Sequence, residues 1–413
     1  MHRKSGDLSP PHQLMSVTLP PAGSFRPALA YVARGLPHYR LPFIRALQRH
    51  GIRCYVFAAG HLGGGFIEGR DEEVQLIRLR RPIPSWRGDI VKAIRRVYPD
   101  YILLEHGASL DFTWSLLATT QMREVPRILW THGIERVELY SGRRSVASVG
   151  RWWQLARADA LLCYDYAMAS RLRQQFPDKH VGVAPNSTDG DPLVAARRRL
   201  EQVGRLAVRR RHSLELPYYI VGLGRLVRDK EFHRLIRILS LIRSRGLNAG
   251  LIFVGTGPEL PRIRKLASVA GFAEGREIEF VGAVSDPASL AEWLYCADVC
   301  VNPGYLGLSV GDCLFSGLPV VASVPGPGGP YHSPEWQYLT PGSTGWLAAD
   351  NTDEHVATVT VDYLTRPNEE RRRHEEECIM YAESKLGIQP MAKGLLDLLD
   401  VLAKPSPARC SGA

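Results

Sequence analysis

No apolar run in the 413-residue chain approaches the ~18 residues that a membrane-spanning helix needs, so no spanning segment is expected. The first 24 residues are rich in Pro, Ser and Leu but lack a charged start followed by a long apolar core. They read as a disordered leader and not as a signal peptide. Cysteine is sparse. The seven cysteines are scattered, with no CxxC pair and no histidine cluster, which leaves neither a disulfide framework nor a metal site to expect. Cys296 and Cys300 straddle an expected helix end and strand, where small buried thiols fit, and a reducing cytoplasm suits them. Internal repeats at a solenoid period are lacking. So is any RNA- or DNA-binding motif.

That last absence matters because the chain is basic and unevenly so. Residues 1–212 carry 33 Lys and Arg against 18 Asp and Glu, whereas the rest carry 19 against 24. The asymmetry predicts an anionic partner for the first half. Without a nucleic-acid motif, an anionic membrane surface or a lipid-pyrophosphate substrate fits better than nucleic acid. The plain alternative is a solvated arginine-rich surface. A hydrophobic content of 45% and a charged content of 23% are those of an ordinary globular protein, and the length allows two or three domains.

Short apolar runs alternate with amphipathic segments in both halves, the pattern of βαβ units and parallel sheets. The first half offers strands at Ala28 to Ala33, Arg53 to Ala58, Tyr101 to Glu105, Arg127 to Thr131, Ala160 to Tyr164 and Val181 to Ala184. A helix over Tyr39 to His50 sets Phe43, Ile44 and Leu47 on one face. Gly60 to Arg70 reads as a mobile loop, and Asp89 can cap a basic helix over Ile90 to Arg96. Val194 to Arg211 is polar and strongly basic, the composition of an interdomain connection. A second series offers strands at Tyr218 to Gly222, Gly250 to Val254, Ile278 to Val281, Val299 to Asn302 and Leu318 to Ala322. Helices between them are expected near Lys230 to Arg245, Glu259 to Ala270, Pro287 to Cys296 and Leu308 to Phe315. The expected division is a leader (1–24), a doubly wound α/β domain (25–195), a connection (196–216), a second doubly wound domain (217–385), and a terminal helix with its tail (386–413).

Several of the turns after strands have the composition of ligand sites. Pro303-Gly304-Tyr305-Leu306-Gly307 cannot lie inside a helix, and it feeds one. Such a loop can offer unpaired N–H groups to a phosphate, although many α/β proteins have the turn without a ligand. At the mouth of the Tyr218 strand, Gly224-Arg225 and then Lys230 bring a fork of donors and a point charge, which can clamp a diphosphate. A solvated pair at a helix start is the alternative. Gly255 and Gly257 mark another strand-to-helix turn, where ligands of parallel sheets gather. Asp312 can accept both hydroxyls of a ribose, or only favour the helix dipole. In the first half, His132 ends a strand before Gly133, the place for an active-site group. Tyr39 and Arg40 open the first helix beside the cleft, and His106 and Asp111 lie on the same side.

These segments resemble the nucleotide-sugar signature of family 4 glycosyltransferases, whose GT-B fold sets two Rossmann-like domains across a cleft. Ser316-Gly317-Leu318-Pro319-Val320 matches the end of that signature. Gly224-Arg225-Leu226 with Lys230 matches its Gly-Arg-Leu…Lys element, and Gly255-Thr256-Gly257-Pro258 its Gly-x-Gly-Pro element. Pro185-Asn186-Ser187-Thr188-Asp189 is similar to the family's junction. His332, Pro334 and Glu335 lie where the family has a Pro-Glu segment. The second signature glutamate falls on Asp312. The first falls on Gly304, so one carboxylate is absent and the other is a methylene shorter. The resemblance implies that Arg225 and Lys230 hold the donor pyrophosphate beside Gly224, Gly255 and Gly257. It also implies that Val281, in Phe280-Val281-Gly282, meets the nucleobase and that Asp312 meets the ribose. Backbone N–H groups at Tyr305, Leu306, Gly307 and Leu308 would meet the donor, and His132 would face its sugar. Tyr39, Arg40 and His106 fall on the acceptor side. The last helix is implied to pack back on the first domain.

The implied activity is retaining transfer of a sugar from a nucleoside-diphosphate sugar to a saccharide or lipid-pyrophosphate-linked acceptor, in surface polysaccharide or glycolipid assembly. The implied place is the cytoplasm, peripheral on the inner face of the membrane. Arg225 and Lys230 supply the positive charge for the leaving diphosphate, so neither a metal nor a cofactor beyond the donor is expected. Two alternatives stay open. One is a non-catalytic subunit of a polysaccharide-assembly complex, motivated by Gly304, and the other is a nucleotide-sugar epimerase of the same fold.

Overall fold

Strands covered on both faces are apolar without alternation, and the runs above are used in that way. A computed structural model of the protein describes residues 27–403, apart from 34–35, 59–74, 79–85, 108–110, 135–137, 140–141, 143–144 and 328. The expected leader, the Gly60 to Arg70 loop and the end of the tail lie outside the described residues. Strands β1 (Ala28–Ala33), β2 (Arg53–Ala58), β3 (Gln75–Arg78), β4 (Tyr101–Glu105), β5 (Arg127–Thr131), β6 (Ala160–Cys163) and β7 (His180–Val183) form one sheet, in the order β3-β2-β1-β4-β5-β6-β7. Strands β8 (Tyr218–Leu223), β9 (Ala249–Val254), β10 (Ile278–Gly282), β11 (Val299–Asn302), β12 (Val320–Ser323) and β13 (Gly345–Ala348) form a second, in the order β10-β9-β8-β11-β12-β13. The strand pairs are parallel in both sheets. In each sheet the winding reverses beside its first strand, between β1 and β4 and between β8 and β11. Crevices open there at the carboxyl ends of the strands. The architecture is therefore two doubly wound domains, each with a hydrophobic layer on both faces of its sheet.

The structure departs from the sequence reading where tertiary partners decide. Strands β3 and β13 are short and sit at sheet edges, so neither needs a long apolar run. The basic helix runs Trp86–Arg95, which places Asp89 inside it and not at its cap. The helix expected from Lys230 begins only at Leu235. Two 3-10 turns precede it, Arg228–Lys230 and Phe232–Arg234, with Glu231 left-handed between them at φ 52°. Arg234 holds that shape by donating to Glu231 Oε2 at 2.7 Å, Asp353 Oδ1 at 2.7 Å and the Pro303 carbonyl at 3.0 Å.

The largest departure concerns the expected connection. Helices Asp191–Val203 and Arg205–Arg211 pack against Pro287–Cys296 and bury Leu193, Val194, Ala196 and Val208 in the second domain. Three of their arginines turn inward to acids distant in sequence, while Arg198, Arg199, Arg210 and Arg211 stay exposed. Arg209 pairs with Asp298 at 2.6 Å, and Arg197 and Arg205 each pair with Glu375 at 2.8 Å. The last helix, Ile388–Ala403, lies on the first sheet, with Met391, Leu395 and Leu398 among Phe43, Ile44 and Leu47. Among the described residues no helix is long and apolar enough to cross a membrane.

Candidate nucleotide-binding cleft

The carboxyl ends of β8 to β11 lie side by side because their strands are parallel neighbours. Backbone contacts bring the ends closer. Gly224 N–H donates to the Val254 carbonyl at 3.0 Å, and Gly255 N–H to the Gly282 carbonyl at 2.7 Å. Gly255 has φ 140°, and a Cβ there would lie 1.9 Å from the Gly224 carbonyl oxygen. Glycine is required at this approach whatever the ligand. Val281 is half-buried beside it.

Lys230, expected in a diphosphate clamp, and the glycine loop form one unit. Arg225 is exposed and makes no ion pair among the described residues. Lys230 is half-buried, and burial lowers its pKa to about 8, while the Glu335 carboxylate works in the opposite direction. Its Nζ lies 5.0 Å from the centre of the Tyr305 ring and 3.6 Å from where a Cβ on Gly307 would stand. Tyr305 N–H donates to the Asp229 carbonyl at 2.9 Å, which ties the loop to the turn that carries Lys230.

This tie changes which loop amides are open to a ligand. Tyr305 N–H is committed to Asp229, and Leu306 N–H donates to His332 Nδ1 at 3.2 Å. His332 Nε2–H donates in turn to the Ser323 carbonyl at 2.9 Å, so the buried ring is neutral. Neither Tyr305 nor Leu306 can therefore serve as the expected open donor. Of the four expected amides, those of Gly307 and Leu308 remain, with no protein acceptor among the described residues. Sequence reasoning found His332 only as part of a motif; its bond to a loop amide has no local signal.

Gly304 has a steric cause. A Cβ there would lie 2.5 Å from the carbonyl carbon and oxygen of Lys230 and 2.6 Å from the Asp229 oxygen. The clamp backbone occupies the space from which a side chain would start. Gly304→Ala should lower unfolding free energy by about 1–3 kcal/mol, the usual penalty of overpacking. Denaturant melts check this, and an unchanged midpoint would refute the close approach.

Asp312, on helix Ser309–Phe315, is half-buried, and its Oδ1 accepts from Thr188 Oγ1 at 2.9 Å. Burial pushes its pKa up to about 6, against the lowering effect of Thr188. A ribose hydroxyl reaching Oδ1 would compete with that threonine. The raised pKa means that the folded protein holds a proton here which the unfolded chain releases. Stability through this group therefore falls as pH rises from about 4 to about 6. Asp312→Asn should raise the melting temperature at pH 7 but not at pH 4, and weaken nucleotide binding. Equal melting shifts at both pH values would count against the assignment.

On the first-domain side, Arg40 turns inward. It is 5% exposed, donates to Asn186 Oδ1 at 2.8 Å and to Met391 Sδ at 3.5 Å, and lies 4.2 Å from the centre of the Trp130 ring. This corrects the expectation that it meets an acceptor: its partners become neighbours only on folding. Asn186 Nδ2 donates to Glu335 Oε1, and Tyr338 Oη donates to the Asn186 carbonyl at 3.0 Å, so Asn186 joins the two domains. Burial raises the pKa of Glu335, whose Oε2 is buried without a donor. His106 is held at both nitrogens, by Thr131 Oγ1 at 2.6 Å and the Arg151 carbonyl at 3.3 Å. Burial lowers its pKa to about 3, with Arg151 adding to the effect, so it stays neutral near pH 7. Tyr39 is half-buried beside Arg40. His132 is exposed, with its ring 4.3 Å from that of Tyr164.

Residues 217–366 match the family described as glycosyl transferases group 1, and residues 35–191 match glycosyltransferase family 4. The chain belongs to the family 4 glycosyltransferases. A GDP-mannose-dependent alpha-(1-6)-phosphatidylinositol dimannoside mannosyltransferase of Mycobacterium tuberculosis is 30% identical to this glycosyltransferase over 169 residues, 40% of each chain. The match thus spans less than half of that relative. Sucrose-phosphate synthase of Thermosynechococcus elongatus superposes with a TM-score of 0.66 at 17% identity, over 91% of this chain and 99% of the other. Anabaena HepE, in complex with UDP-glucose, does so with a TM-score of 0.61 at 14% identity, over 91% and 99%. At these identities the likeness is one of fold, and the fold is GT-B.

Proposed function

We propose that this glycosyltransferase moves a sugar from a nucleoside-diphosphate sugar, bound at the strand ends of the second domain, to a saccharide or lipid-linked acceptor at the first. The observation that carries this reading is Lys230, whose ammonium lies 3.6 Å from where a Cβ on Gly307 would stand, next to a loop whose Gly307 and Leu308 amides are open. Two cations and two backbone donors would then gather around the charge of a diphosphate leaving group, so the main rate effect would be electrostatic. His132, exposed just after the carboxyl end of β5, would face the transferred sugar, and retention of configuration is part of the proposal. The basic first half favours work at the inner face of an anionic membrane. The non-catalytic alternative draws on Gly304, where no side chain can replace the absent glutamate.

The test is calorimetry of nucleoside diphosphates combined with turnover in a nucleotide-sugar panel. His132→Ala should lower kcat and leave nucleoside-diphosphate affinity unchanged, since its place is beside the sugar. Equal turnover in wild type and variant would remove His132 from the site.

A further inference from the structure

A cavity opens between helices of the first domain. Trp114, on helix Asp111–Ala118, and Trp153, on helix Val146–Arg157, stack with ring centres 4.8 Å apart. With Val91, Lys92, Ala118 and Gln121 they line a cavity of about 660 Å³, a volume within the range of small-ligand sites. Lys92 is the only charged side chain among the described lining residues.

The helix Val146–Arg157 extends this site along its surface. Positions 146, 149, 150 and 153 follow the i, i+3, i+4, i+7 spacing and share one face. Val146 is 91% exposed and Val149 is 67% exposed. Gly150 lets the Trp114 ring lie against the helix, because a Cβ there would stand 2.8 Å from it. An exposed apolar strip thus leads into an aromatic cavity. Lys92 lines it, and Arg95 and Arg96, exposed like Lys92, follow one helical turn on.

This combination has the chemistry of a membrane interface. Tryptophan pairs an apolar ring with a polar N–H and favours that depth, the valines suit hydrocarbon, and the basic border suits anionic headgroups. The placement adds a reason. Gln154 exchanges two hydrogen bonds with Gly107, at 3.3 and 3.2 Å, and the Arg151 carbonyl meets His106. The helix with the apolar face is therefore fixed to the carboxyl end of β4, on the acceptor side.

We propose that this face and cavity take the acyl chains of an anionic lipid bilayer and hold the acceptor side of the cleft at the membrane. Only the further step, that the acceptor is itself lipid-anchored, rests on the glycosyl-transfer reading.

Vesicles of phosphatidylglycerol and phosphatidylcholine with brominated acyl chains test this, because bromine quenches tryptophan that reaches the hydrocarbon. The wild type should sediment with the vesicles and lose fluorescence. Trp114→Phe/Trp153→Phe should still sediment but lose most of the quenching. Val146→Asp/Val149→Asp changes exposed positions only. It should lower vesicle affinity at least about tenfold, with nucleoside-diphosphate affinity unchanged. Sedimentation without quenching, or equal binding by the aspartate variant, would overturn the proposal. So would a wild type that ignores vesicles and forms a dimer broken by the aspartates, since a second copy would then cover the face. A wild type that quenches but binds no nucleotide would keep the lipid site and sink the glycosyl-transfer reading.

Discussion

Asp298→Ala should cost about 3–5 kcal/mol of unfolding free energy, the range for leaving a buried charge without its partner. Asp298 is 4% exposed, and its two oxygens meet three guanidinium groups. Arg209 donates to Oδ2 at 2.6 Å, while Arg371 and Arg205 stand 3.2 and 3.5 Å from Oδ1. The Tyr219 amide also donates to Oδ2, at 2.8 Å. The carboxylate thus joins β8 to the helices Arg205–Arg211 and Asn368–Lys385. Its removal strands Arg209, which is 3% exposed. Asp298→Asn keeps the shape but not the charge and should still lose a large part of the stability. Urea melts check both variants. A loss below about 1 kcal/mol, the value of an exposed pair, would show that solvent reaches the cluster.

Lys230→Ala should weaken nucleoside-diphosphate binding by about 1.5–3 kcal/mol, the range for hydrogen bonds to charged groups. The loss should appear as roughly 10- to 150-fold in Kd. Its pH dependence gives an independent check. Burial holds the free ammonium near 8, so affinity should fall as pH rises from 7 to 9 in the wild type. Lys230→Arg should remove most of that slope, because guanidinium stays charged. Stability should move the other way. Between about 8 and the ordinary lysine value of 10.5, the unfolded chain binds the proton that the folded one has lost, so this group makes the unliganded protein more stable as pH rises. A wild-type affinity that is flat across this window would mean that Lys230 does not touch the diphosphate.

The parts legible in the sequence are those where local pattern and tertiary demand agree. Strands such as Ala28–Ala33 and Ala249–Val254 are buried along their length and read as unbroken apolar runs. The glycines at 255 and 304 also show, because close backbone approach allows no other residue, and so does Gly224, whose φ of 139° suits glycine alone. What escaped depends on partners distant along the chain. Nothing local tells that Arg197, Arg205 and Arg209 turn inward, since Asp298 and Glu375 lie about ninety to 180 residues away. Arg40 reads as an acceptor-side residue of the first turn until Asn186, Trp130 and Met391 assemble around it. The same holds for the loop amides. Composition promises open donors from Tyr305 to Leu308, but the Asp229 carbonyl and His332 satisfy the first two, and only Gly307 and Leu308 stay accessible.

The central claim is that this chain transfers a sugar from a nucleoside-diphosphate donor. The most direct measurement is release of nucleoside diphosphate from a panel of nucleotide sugars, with and without saccharide and lipid acceptors, followed by mass analysis of the products. Acceptor-dependent release, a product heavier by one glycosyl unit and loss of both in Lys230→Ala are the predicted result. Tight nucleotide binding with no acceptor-dependent release, or conversion of the donor to an isomer without any acceptor, would contradict it.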